Sequence, residues 1–211
     1  RTFDKTLICV GRKPNSKGLN LHDTRITTDK KGFIEVDAQR RTAEPHIFAI
    51  GDVAGEPMLA HKAAAEGRIA AEVIAGKKSA FEPQAIPAVV FTDPEIAWCG
   101  ITENQAKAQD ISVAVARFPW AASGRAGTLS RVDGLTKVLC EPDSGQILGM
   151  GIAGSGAGEL IAEGVLAIEM GAVAEDLDMT IHPHPTLSET VMESAANIFG
   201  QSTHIYRPAQ K

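Results

Sequence analysis

Near the end of the 211-residue chain, the stretch His182-Pro183-His184-Pro185-Thr186-Leu187-Ser188-Glu189 brings two imidazoles and a carboxylate close together. Each proline fixes its own φ near about −65° and drives the histidine before it out of the α region, so both histidines sit on a stiff, extended segment. A helical pattern starts directly afterwards, with Glu189 in its first turn. A rigid imidazole followed five residues later by a carboxylate can form a histidine base with an orienting acid. The same residues allow another reading. Thr186-Leu187-Ser188-Glu189 has the S/T-x-x-E form of a capping box, in which the glutamate serves only the helix end.

Other residues carry weaker chemical signals. Asp52 closes the run His46-Ile47-Phe48-Ala49-Ile50-Gly51-Asp52, whose apolar stretch predicts a strand buried on both faces, as in a parallel sheet. Ligands bind at the carboxyl edge of such sheets. A carboxylate there can accept hydrogen bonds from sugar or ribityl hydroxyls, or Gly51-Asp52 can simply turn the chain. Met58-Leu59-Ala60-His61 opens a helix, where free N–H groups and the positive dipole end suit a ligand bearing partial negative charge. For His61 taken alone, a surface or capping role is the default. Gly149-Met150-Gly151-Ile152-Ala153-Gly154 matches G-x-G-x-x-G, a dinucleotide-loop pattern. The strand before it belongs to a hairpin, however, and close packing of a helix on a sheet explains the glycines equally well. His182 and His184 are two apart with no cysteine or third histidine at ligand spacing, which argues against a metal site.

The elements that must position these residues fall into two groups. Thr6-Leu7-Ile8-Cys9-Val10 reads as a buried strand ended by the turn Gly11-Arg12-Lys13-Pro14-Asn15. Ile26–Thr28 and Phe33–Val36 flank a hairpin turn at Lys30-Lys31-Gly32, and Leu59–Ala75 is an alanine-rich helix ended by Gly76. Glu82-Pro83-Gln84-Ala85-Ile86-Pro87 reads as a linker and places a domain boundary there. Beyond it, Ala88–Phe91 and Ile96–Gly100 form a hairpin, Thr102 and Gln105 cap a short helix, and Ile111–Phe118 is a strand. Gly134–Glu141 and Gln146–Ala153 make another hairpin, and helices follow over about 158–170 and 187–199. The fold class is therefore α/β in the first part and α+β with a largely antiparallel sheet in the second.

Composition narrows the function. The chain is 44% hydrophobic and 22% charged, as globular proteins are, and its net charge of −5 supplies no basic surface for nucleic acid or an anionic membrane. No apolar run reaches membrane-spanning length. Cys9, Cys99 and Cys140 are odd in number and far apart, which predicts reduced thiols packed as small hydrophobes in strands, in a cytoplasmic setting. The chain starts at Arg1, one step before an apolar strand, so it reads as part of something longer.

Taken in order, these pieces resemble one family. Thr-x-x-x-x-Ile-Phe-Ala-Ile-Gly-Asp over Thr42–Asp52 is similar to the second FAD-binding motif of the pyridine nucleotide–disulfide oxidoreductases. Leu7–Asn15 resembles the strand and turn that close their NAD-binding domain, and Met58–Ala63 with His182–Glu189 look like the dihydrolipoyl dehydrogenase branch. The resemblance implies that residues 1–14 end an NAD-binding domain, 15–83 form the C-terminal part of an FAD-binding domain, and 84–211 form a dimerisation domain. It implies that Asp52 binds the ribityl chain of FAD, that Met58, Leu59, Ala60 and His61 line the flavin, and that Gly11 lies near NAD. His184 would be the acid–base and Glu189 would hold its imidazole, the pair serving the other subunit of a homodimer. The implied activity is oxidation of dihydrolipoamide, borne on the acyltransferase of a 2-oxoacid dehydrogenase complex, with NAD as acceptor through FAD. One departure is large: the family's redox cysteine pair and both N-terminal glycine-rich loops are absent, so the chain alone is expected to be inactive. A glutathione reductase-like relative, which also uses His-Pro-Thr with a downstream glutamate, and a non-catalytic dimerisation module are the alternatives.

Overall fold

The proline-bearing stretch around Glu82 separates two units in the computed structural model, Arg1–Glu82 and Pro83–Lys211; residues 1–205 are described. In the first unit the longest element is α1 (Ala60–Ile74), which buries Ile69, Ala70 and Val73 and stops at Gly76, whose φ of +83° suits a residue without a side chain. Thr28 bridges Ile34 across the expected hairpin turn, and the Asp29 carboxylate accepts the Lys31 and Phe33 amides at 2.8 and 2.9 Å. Ile26, Ile34 and Ala49 form a small core under this turn.

Two expected strands do not form. Residues 6–10 have no ladder partner among the described residues, and Leu7, Ile8 and Val10 are more than 80% exposed, at 86, 81 and 85%. Cys9 is exposed with them instead of packing in a strand. The run 46–52 makes only one isolated bridge, Arg41 to Phe48, and Ile47 and Ile50 are exposed. An apolar run encodes burial, but a strand also needs neighbouring strands to satisfy its amides and carbonyls. No strand among described residues 1–82 flanks either run. Asp52 consequently sits in a short 3₁₀ turn, Gly51–Val53, and not at a strand end.

The second unit is a two-layer α+β fold. Strands β1 (Ala88–Val90), β2 (Glu95–Gly100), β3 (Ala114–Pro119), β4 (Leu135–Cys140) and β5 (Ile147–Gly154) make one antiparallel sheet in the order β1-β2-β5-β4-β3. Register places Ala97, Ile152, Thr136 and Phe118 in one row, and Cys99, Met150, Val138 and Ala116 in the next, all buried. The alternate residues of the same strands, such as Trp98, Lys137 and Arg117, point to the opposite face. Between the strands lie α2 (Glu103–Ala108), capped by Thr102 and Gln105 as expected, and α3 (Gly124–Thr128), which the sequence does not announce. Helices α4 (Ala157–Met170), α5 (Ala174–Met179) and α6 (Glu189–Ala196) follow β5. Gly164 of α4 meets Met150 and Cys99 so closely that a methyl group there would stand 2.7 Å from the Met150 sulfur.

Trp120, in the turn after β3, anchors this layer. A Cβ on Gly134 or on Gly154 would stand 2.3 Å from its ring. Gly134→Ala is expected to destabilise the second unit by about 1–3 kcal/mol through overpacking, read as a lower urea midpoint for the fluorescence of its two tryptophans, Trp98 and Trp120. An unchanged midpoint would show that the indole can move aside.

Candidate active site

In the first unit, the Gly51–Val53 turn lies on α1, and a buried charge cluster pins it there. Glu66 is fully buried; one oxygen accepts the Gly51 amide at 2.6 Å, and the other meets Lys62 Nζ at 2.9 Å and Arg40 Nη1 at 3.0 Å. Lys62 also donates to the carbonyls of Gly51 at 3.4 Å and Gly55 at 3.1 Å. Such charges are tolerated in an interior only when each is paired. Gly51 has a φ of +74°, and a Cβ there would press on the Ala63 methyl at 3.1 Å. Asp52, next along, is exposed, while Met58 and Leu59 are half-buried and Ala60 and His61 exposed. No side chain caps α1 at Leu59, so this end presents first-turn amides and a positive dipole end. Arg12, one residue after the exposed Gly11, donates to the Met58 carbonyl. The structure thus gathers Asp52 and Met58–His61 around one end of α1. An exposed carboxylate beside uncapped amides fits a ligand with hydroxyls and an electron-rich edge.

In the second unit, the acid–base candidate is assembled from the start of α6 upward. Thr190 donates to the Leu187 carbonyl at 2.7 Å, so the Thr136 hydroxyl must donate to Thr190, at 2.7 Å, and accept the Trp120 indole N–H, at 3.0 Å. All three side chains are buried. This chain of donors fixes the helix turn from which Glu189 projects. Glu189 Oε2 accepts the Thr186 amide at 2.7 Å, and Oε1 lies 2.9 Å from His184 Nδ1. The carboxylate can only accept, so the proton sits on Nδ1, and Nε2 of the neutral ring is the position that takes up a proton. The His184 side chain is 71% exposed and that of Glu189 18%.

Glu189 therefore serves both of the roles its spacing allowed. Only half of the capping box forms, because the Thr186 hydroxyl donates to the Pro183 carbonyl at 2.7 Å instead of capping α6, and Ser188 takes the N-cap position. Burial raises the Glu189 carboxyl, but the Thr186 amide and the His184 ring outweigh it, with positive charge at His184 and His204 adding, and the net direction is down. His182 is held apart from His184. Its side chain is 6% exposed, with Nδ1 against the Thr180 carbonyl at 2.8 Å and Nε2 against Glu163 of α4 at 2.7 Å. It ties the proline-rich segment to α4. The glycines of 149–154 lie in β5, where a Cβ on Gly149 would stand 2.1 Å from the Ile101 carbonyl, and Glu95 occupies the Gly158 amide at the start of α4 at 3.0 Å.

Comparison with known proteins follows the same division. Residues 86–195 match the pyridine nucleotide-disulphide oxidoreductase dimerisation domain, and residues 2–67 match the pyridine nucleotide-disulphide oxidoreductase domain. The chain belongs to the pyridine nucleotide-disulphide oxidoreductase family. It is 51% identical over 197 residues to a dihydrolipoyl dehydrogenase of Vibrio cholerae, covering 93% of this chain and 41% of that protein. A dihydrolipoyl dehydrogenase of Thermus scotoductus is 50% identical over 202 residues, covering 96% of this chain and 44% of that one. The chain thus spans less than half the length of these relatives. Among solved structures, LpdA of Mycobacterium tuberculosis superposes with a TM-score of 0.82 at 29% identity, over 90% of this chain and 41% of its own. The HOCl-induced flavoprotein disulfide reductase RclA of Escherichia coli gives 0.80 at 25% identity, over 88% and 43%. The antiparallel sheet and its helices are accordingly those of an oxidoreductase dimerisation domain.

The sequence did not point to Glu163, Glu193 or His204. A helical period from Glu189 reaches Glu193, but His204 joins the site only through tertiary folding. Two measurements test this geometry. Glu66→Ala strands the buried Lys62, the partly buried Arg40 and the Gly51 amide, and is expected to cost about 3–5 kcal/mol in the urea stability of the first unit. Glu189 has its folded-state value below the ordinary 4.5, so its stabilising effect is complete above that value and is lost as pH falls through the folded one. The stability gap between wild type and Glu189→Gln should therefore be present at pH 7 and close in strong acid. A gap that persists there would remove the carboxylate's charge as its cause.

Proposed function

We propose that this chain forms the C-terminal part of a dihydrolipoyl dehydrogenase and supplies its acid–base pair. The observation that carries the reading is the 2.9 Å contact between His184 Nδ1 and Glu189, on the proline-stiffened segment that first suggested a base. The substrate is dihydrolipoamide, carried by the lipoyl-bearing acyltransferase of a 2-oxoacid dehydrogenase complex. His184 Nε2 removes a proton from one substrate thiol, and the thiolate is the nucleophile. Glu189 keeps the ring in the Nδ1–H tautomer and stabilises the imidazolium. The thiolate attacks a redox-active disulfide, forming one sulfur–sulfur bond as the protein's own breaks. Attack by the second substrate sulfur then releases lipoamide and leaves a protein dithiol, so two electrons and two protons leave the substrate.

The accepting disulfide lies outside this chain. Burial pushes the Cys99 thiol up to about 12 and raises Cys140 as well, so neither supplies a thiolate, and Cys9 is exposed in the other unit. A bound FAD would supply the two-electron relay between that dithiol and NAD. Asp52 would hold its ribityl hydroxyls, Met58–His61 at the start of α1 would face its flavin, and Gly11 would lie near NAD. Residues 15–83 would belong to the FAD domain, residues 1–14 would end the NAD domain, and residues 84–211 would join two subunits in a homodimer that places His184 at the partner's flavin. Exposed Phe91, Ile96 and Trp98 at the β1–β2 hairpin fit such an interface. No helix among the described residues is long and apolar enough to cross a membrane; the reading places the enzyme in the cytoplasm.

The test is steady-state oxidation of dihydrolipoamide by a protein that joins this chain to its disulfide-bearing portion. His184→Gln is expected to slow it by roughly 10²–10⁴-fold, the usual worth of a general base, with bound flavin unchanged. Glu189→Gln should lose less, because an amide oxygen can still accept the Thr186 N–H. Undiminished turnover in the His184 variant would refute the base assignment, and the isolated chain is expected to show none.

A further inference from the structure

The couple at His184 is built a second time, one helical turn further along α6. Glu193 follows Glu189 at i+4, so the two carboxylates leave the same face of the helix. Each gives Oε1 to an imidazole Nδ1, that of His184 at 2.9 Å and that of His204 at 2.6 Å. Each accepts at Oε2 a backbone amide of the segment that carries its histidine: Thr186 donates to Glu189 at 2.7 Å, and Thr203 to Glu193 at 3.0 Å. The Ser202 hydroxyl adds a 2.6 Å bond to Glu193. The Glu193 side chain is 4% exposed and that of His204 51%. All four groups line one cleft of about 170 Å³, and among the described residues the rest of its wall, including Phe118, Ser123 and Thr190, is neutral. Arg125, next along α3, donates to Thr128 of its own helix.

We infer that His204 is a second ionisable residue of the acid–base site, held by Glu193, whose charge sets the field in which the His184–Glu189 couple exchanges its proton. A buried carboxylate at Glu193 with no counter-charge would favour the proton on His184 and hold the base in its spent form. When protonated, His204 cancels that field, leaving His184 opposed by Glu189 alone. Its open face lets it take up its own proton from solvent. The catalytic consequence rests on the reading of His184 as the base; the coupling between the two imidazoles does not.

The experiment is a pH titration of the histidine resonances of the 211-residue chain by NMR, in wild type, His204→Gln and Glu193→Gln/His204→Gln. In His204→Gln the uncompensated carboxylate is expected to raise the His184 midpoint by roughly half a pH unit, a shift kept small by the half-exposed, screened cleft. Neutralising both members should return it to the wild-type value. A His184 midpoint unmoved by His204→Gln, or raised equally in the double variant, overturns the inference, the second result because a merely structural disturbance does not depend on the sign of charge. These outcomes are independent of the turnover of His184→Gln, so failure of the base assignment and failure of the coupling are told apart.

Discussion

The hydrogen bond between the Thr136 and Thr190 hydroxyls, 2.7 Å long and sealed from solvent, is the contact on which the geometry of the second unit's candidate site depends. It joins the start of the interior strand β4 to the first turn of the helix that bears Glu189. Its polarity is fixed at both ends, by the Trp120 N–H that enters it and the Leu187 carbonyl that ends it. A buried chain of hydroxyls with every donor matched is stabilising only as a whole, since a single missing member leaves a desolvated group unpaired. Glycines at 134 and 154 make room for the indole that starts it. An exposed imidazole thus gains a defined orientation from atoms deep in the sheet.

Charge is handled differently in the two units. Around α1, a buried carboxylate with the buried Lys62 and the partly buried Arg40 holds a backbone turn; the Gly51 and Gly55 carbonyls take further Lys62 donors, and the Arg40 guanidinium lies over the Phe81 ring. Around α6, carboxylates hold imidazoles that reach solvent. The first arrangement fixes shape, because its members have no route to exchange protons with solvent without leaving partners unpaired. The second keeps the proton-carrying ring accessible while its acid partner is sheltered, which is the arrangement a base needs.

Much of the second unit was legible in the sequence for local reasons. The alternation of 111–118 that carries β3, the proline and glycine punctuation of the hairpins and the Thr102–Gln105 cap are each decided by neighbours along the chain. The strands expected at 6–10 and 46–52 failed because apolar content specifies burial without specifying what covers it. The short α3 and α5 lack a long apolar period and were invisible to one.

The sequence by itself determined the candidates: a histidine stiffened by prolines with a glutamate five residues on, an aspartate after a Gly at 51, and a helix start at Leu59. Those follow from backbone restriction and spacing, which act over a few residues. Only the tertiary structure decided that Glu189 bridges His184 and the Thr186 amide, that His182 turns away to Glu163, and that His204 returns to the same cleft through Glu193. Those contacts join residues from separate elements, and hydrogen-bond partners across a fold are chosen by packing and by the demand that every buried polar group be paired, neither of which is written in local spacing.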